Sequence, residues 1–232
     1  MAAILSDFLP YIFTDVQDCP IPIINLHLRS ALIEFCNKSR LWKVDFELNL
    51  LDGKNEYTLI SPESETTVID VASLRVKNGI NSTQYTPVGN DEQYHGTSES
   101  ELNWKNPQWR DQTTENGSIS DWFFRDGVLT ITPTPAHGAA NDPNFVDWMR
   151  GRMVLQPTRV ATEYPDILFT EYAEEIAAGA KSKIMSMPRR GWTDSGQAAM
   201  HHVLFKRGWK KAWWKYNIGD GVPQPFPRRL GT

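Results

Sequence analysis

A chain of 232 residues, 40% hydrophobic and 22% charged, carries enough apolar side chain for one large core or two smaller ones, and this composition excludes wholesale disorder. Its net charge of −4 conceals a division, because from Lys181 onward eleven Lys/Arg face two Asp, about +9, while the remainder carries thirteen against twenty-six, about −13. An acidic body with a basic end suits a partner held through the C-terminal part, whether nucleic acid, an acidic protein surface or a neighbouring copy of the same chain.

At the N-terminus "SDFLPYIF" predicts a short helix capped by Ser6. The segment lacks a charged leader and is interrupted by Pro10, and no apolar run is long enough to span a bilayer, which predicts a cytoplasmic protein without a membrane contact. In "IINLHLRSALIEFCNKS", Ile24, Leu28, Ala31, Leu32 and Phe35 recur with helical period and predict an amphipathic helix from Ile21 to Ser39. Cys36 falls on its apolar side as a buried free thiol, and with Cys19 alone beside it neither a disulfide framework nor a zinc site is indicated.

From Trp42 the period changes to two. "WKVDFELNLLDGKNEYTLI" alternates and turns at Asp52-Gly53, and the same pattern returns at Asn78-Gly79 and Asp126-Gly127, so three hairpins of a mainly antiparallel sheet are expected. "GRMVLQPT" supplies a last strand through Met153 and Leu155. The polar, turn-rich stretches 91–120 and 136–144 read as loops.

Helix returns in "TEYPDILFTEYAEEIAAGAKSKIMSMP", with Pro165 near its first turn, Pro188 past its end and a stripe of Leu168, Tyr172, Ile176, Ala180, Ile184 and Met187. Its small residues Ala177, Ala178, Gly179 and Ala180 suit the close approach of another helix. Asp194 then caps a helix that ends "FKRGWKKAWWKYN". One face of this helix, Ala198, His202, Phe205, Trp209, Ala212 and Tyr216, has the spacing of a core stripe. The other carries Lys206, Arg207, Lys210, Lys211 and Lys215, and Trp214 falls among these cations as the anchor of a contact surface. The tail "GVPQPFPRR" is too rich in Gly and Pro for helix or central strand and reads as an extended arm.

The segregation of helices and strands predicts an α+β fold: a helical bundle formed by N- and C-terminal helices, with an inserted mainly antiparallel β domain and an extended C-terminal arm. The expected divisions are 1–41 for the first helices, 42–158 for the β domain, 159–217 for the last helices and 218–232 for the arm. No phosphate-binding glycine loop, helical His pair or G-x-S-x-G occurs. Glu171, Glu174 and Glu175 lack a partner motif and read as a solvated helix face, and the adjacent His201 and His202 read as one packed and one solvated histidine. The expectation is a non-enzyme with no cofactor and no metal.

Two stretches, "SDFLPYIFTDVQDCPIPIINLHLRSALIEFCNKSRLW" and "LQPTRVATEYPDILFTEYAEEIAAGAKSKIMSMPRRGWTD", together with the order of elements, resemble the head-to-tail adaptor (connector) proteins of tailed bacteriophages. The resemblance implies a structural virion protein of the neck, assembled in the host cytoplasm. Its copies would form a ring, twelve-fold in that family, beneath the portal protein, extend the DNA channel without reading DNA sequence, and offer a platform to tail or neck proteins. Under that reading the residues facing the portal or a neighbouring subunit are Lys206, Arg207, Lys210, Lys211, Trp214 and Lys215 with Pro223, Pro225, Phe226, Pro227, Arg228 and Arg229 of the arm. The alternative is a nucleic-acid-binding protein, in which the same cations neutralise phosphates and Trp214 stacks a base.

Overall fold

The computed structural model describes residues 2–51, 53–77, 86–88, 97–114, 119–135, 148–188 and 190–217. In chain order these form β1 (Ala2–Ile4), α1 (Leu5–Phe13), α2 (Ile21–Ser39), β2 (Lys43–Asn49), β3 (Glu56–Thr58), β4 (Thr66–Lys77), β5 (Thr86–Pro87) and α3 (Glu99–Lys105). There follow β6 (Thr113–Thr114), β7 (Asp121–Arg125), β8 (Val128–Thr132), β9 (Thr134–Pro135), β10 (Trp148–Pro157), β11 (Glu163–Pro165), α4 (Asp166–Met185) and α5 (Ser195–Asn217). The class is α+β with mainly antiparallel sheets. Two compact units emerge, one from Met1–Trp42, Ser61–Thr67 and Leu155–Tyr216, the other centred on Lys43–Ile60 and Val68–Val154.

The first unit is helical because its apolar residues recur every third or fourth position. Ile24, Leu28, Ala31, Leu32 and Phe35 of α2 and Leu168, Tyr172, Ile176, Ala180 and Ile184 of α4 are all fully buried. Burying each large side chain of this set contributes about 1.5–3 kcal/mol. From α1, Phe8 and Ile12 join this core, and Phe8 meets Phe169 edge-on at 5.4 Å between ring centroids. Phe35 links the layers, with Tyr172 at 5.2 Å and Phe205 of α5 at 6.0 Å. The backbone of Tyr172 departs from helical geometry (φ −135°, ψ 17°), which kinks α4 at this contact.

The start of α1 differs from expectation. The backbone N–H of Ile4 donates to the Asp7 carboxylate at 2.9 Å, so the helix opens at Leu5 and Ser6 lies inside its first turn rather than capping it. Pro10 is accommodated within the helix. The ends of α2 fall at Ile21 and Ser39, where Arg40 adopts a left-handed conformation (φ 51°) and donates its N–H to the Cys36 carbonyl. Such a residue satisfies one of the orphan carbonyls of a helix end.

The second unit holds a four-stranded sheet, ordered β2-β10-β4-β5, and a three-stranded sheet, ordered β3-β8-β7. The strand anticipated around Met153 begins earlier, at Trp148, and lies inside the four-stranded sheet rather than at its edge. It runs antiparallel to β2 with Gly151 opposite Phe46. The turn at Asp126-Gly127 joins β7 to β8 as expected. Both of its residues have positive φ (50° and 84°), the requirement of a type I′ turn whose twist matches the strands it connects.

Two expectations for this unit are corrected. The stretch around Gly53 does not close a hairpin, because β2 pairs with β10 and β3 with β8 in different sheets. That link is tied locally instead: Tyr57 Oη accepts from the Leu51 N–H and donates to the Lys54 carbonyl, while the Gly53 N–H donates to the Pro135 carbonyl. The stretch 91–120 is not wholly loop, since it contains α3, whose Ser98 Oγ accepts from the Glu101 N–H. The Ser-x-x-Glu spacing of a capped helix start was present there in the sequence. The Asn78-Gly79 turn, the stretch 136–144 and the C-terminal arm lie outside the described residues.

Candidate interaction surface

The short link after α4 sets the position of α5. The Asp194 N–H donates to the Met185 carbonyl, and Asp194 Oδ1 accepts from the Gln197 N–H at 3.0 Å, capping α5 at its first turn. The helix then runs antiparallel to α4, as three successive contacts show: Phe205 lies over Gly179, Gly208 lies against Glu175, and Lys215 reaches Glu171. A Cβ added at Gly179 would stand 2.5 Å from the Phe205 ring, and one at Gly208 would stand 2.5 Å from Cβ of Glu175. Both positions therefore need glycine for the two helices to approach this closely.

These contacts rotate α5 away from the expected stripe. Ala198, Phe205, Gly208 and Ala212 are buried, Trp209 and Tyr216 are only half-buried, and His202 is exposed. His201 turns inward in its place, with Nε2 3.7 Å from Asp15, whose carboxylate also accepts from Lys181 at 2.6 Å. Burial, with Lys181 nearby, pulls the His201 imidazole below its usual pKa range.

On the outer side Lys206, Arg207, Lys210 and Lys211 are exposed. Lys210 lies 5.8 Å from the centroid of the Trp209 ring, and none of the four forms an ion pair with a described residue. Trp214 is half-buried, with its ring edge-to-face on Trp213 at 5.2 Å. Lys215 is also engaged: its hydrogen bonds to both Glu171 oxygens, at 2.6 and 2.7 Å, hold that carboxyl below the usual carboxylate range, assisted by the Tyr216 hydroxyl. Pro223, Pro225, Phe226, Pro227, Arg228 and Arg229 lie outside the described residues.

Sequence reasoning missed a second apolar strip on this outer side. Met200, Val203 and Leu204 are 63%, 64% and 47% exposed. Their i, i+3, i+4 spacing was legible as a helix face, but the stripe through Phe205 and Trp209 had already been taken as the apolar side. The α5 helix thus covers the core with one side and presents a mixed apolar and cationic strip on the other.

The described residues include two free cysteines, Cys19 and Cys36. No cluster of three or more His, Cys, Asp or Glu able to hold a metal occurs among the described residues, and none of their helices is long and apolar enough to cross a membrane. The Cys36 thiol is fully buried and pushed up to about 12, and burial also raises Cys19. Both thiols are therefore protonated at pH 8 and shielded, and neither is expected to react with iodoacetamide in the native protein. Mass spectrometry of the alkylated protein checks this: label on both cysteines in guanidinium and on neither without it is expected. Compared with known proteins, the chain matches no family model and no curated sequence.

Proposed function

We propose that this chain is a structural protein of the head-to-tail adaptor kind, whose copies assemble as a twelve-fold ring under the portal of a tailed phage, extend the DNA channel and receive the tail. In this reading the N- and C-terminal helices form the bundle that carries the ring contacts, the β domain is inserted between them, and the C-terminal arm lies along a partner. The observation that carries the reading is the outer side of α5. Lys206, Arg207, Lys210 and Lys211 stand exposed without ion-pair partners among the described residues, beside the exposed Met200, Val203 and Leu204. Apolar surface rimmed by charge is the composition of a protein contact. The reading rests on surface rather than chemistry.

The test mixes the purified chain with the portal ring encoded nearest to it and images the product by electron microscopy. A ring of adaptor density on one face of the portal is expected, along with loss of that density in the variant Lys206→Glu, Lys210→Glu. Failure to bind the portal at any ionic strength overturns the proposal. Tight binding to single-stranded DNA that weakens steeply with salt, without portal binding, would instead support the nucleic-acid reading.

A further inference from the structure

Along the line where α4 and α5 meet, the surface opens into a groove of about 420 Å³ lined by Glu174, Glu175, Leu204, Arg207, Gly208 and Lys211. Its two rims differ in sign. Glu174 and Glu175 come from α4 and Arg207 and Lys211 from α5, and none of these four forms an ion pair with a described residue. Between the rims the floor is Gly208 and the side of Leu204, which is continuous with Met200 and Val203 one turn toward the start of α5.

We propose that this groove is a self-complementary face through which two copies of the chain pair about a two-fold axis parallel to α5. A two-fold axis in that direction exchanges the left and right rims of the facing copy while keeping each residue at the same height. It therefore lays the acidic α4 rim of one copy on the basic α5 rim of the other, twice, with Leu204 of each copy on the groove floor between them. An axis perpendicular to the helices would place like charges on each other, which disfavours it. Isologous contacts of this kind are the commonest route to a closed dimer.

The charge pattern also decides against docking of the α5 strip into a larger groove of this unit, along α2. That groove, of about 610 Å³, is lined by His27, Arg29 and Arg159 beside Pro22, Leu26 and Ile33. It carries no carboxylate to meet Arg207 and Lys211. Docking of the α5 strip into it would set cation against cation. The pairing uses the α4-facing edge of the surface proposed for the portal, but it stands on the charge geometry alone and is measured with no portal present.

Sedimentation equilibrium on the full chain tests it, with two reversed variants: Glu174→Lys with Glu175→Lys, and Arg207→Glu with Lys211→Glu. The wild type should show a reversible dimer that weakens as salt rises. Each reversed variant alone should dimerise at least about tenfold more weakly, and an equimolar mixture of the two should form a heterodimer. Leu204→Asp, which leaves the four rim charges in place, should also weaken the dimer, and melting curves matching the wild type show that all three variants fold. A wild type that remains monomeric into the millimolar range, reversed variants that dimerise normally, or a mixture that does not associate would each overturn the proposal. None of these outcomes bears on portal binding, so the two proposals fail separately.

Discussion

Phe205→Ala is expected to destabilise the helical unit by about 3–5 kcal/mol, the range for deleting a buried aromatic ring. Phe205 is 1% exposed, faces Phe35 at 6.0 Å and lies on Gly179, where no other side chain can follow it if the ring is lost. Trp209→Ala should cost less, about 1–2 kcal/mol, because the indole is only half-buried and much of its surface already meets water. Hydrophobicity alone ranks the two the other way, since tryptophan is the larger residue. Urea denaturation of both variants decides the matter. A larger loss for Trp209 would mean that α5 is rotated as its amphipathic pattern suggested, with Trp209 rather than Gly208 facing inward.

Gly151→Val should destabilise the four-stranded sheet by about 3 kcal/mol, against the direction expected from strand preference. Valine is favoured over glycine in strands, on a scale that spans about 1 kcal/mol. The local packing opposes it more strongly. A Cβ at position 151 would stand 2.5 Å from Cζ of Phe46 and 2.8 Å from the Ser73 carbonyl oxygen. The Phe46 ring can swing aside at some cost, whereas the Ser73 oxygen belongs to the backbone and moves only if the sheet deforms. Thermal unfolding followed by circular dichroism measures the effect, and Gly151→Ala should show a smaller loss of the same sign. A stabilised valine variant would show that Phe46 does not cover Gly151.

What periodicity controls was legible in the sequence. The bounds of α2, the buried stripe of α4, the Asp194 cap and the type I′ turn at Asp126-Gly127 all depend on residues within a few positions of each other, so local pattern determines them. The α+β class followed from the order of those local signals. Other features depend on partners distant in sequence. Whether the link at Gly53 closes a hairpin depends on β10 and β8, which take the places beside β2 and β3. The small residues around Gly179 marked a close helix approach in the sequence, but which side of α5 turns inward depends on what meets them, Phe205 over Gly179 and Gly208 against Glu175. That rotation leaves Met200, Val203 and Leu204 outside. The sequence by itself therefore determined that α5 has an apolar and a cationic side. Only the packing of α5 on α4 decided which apolar residues form the core and which remain for a partner, because backbone approach at a glycine is a tertiary contact and leaves no periodic signal.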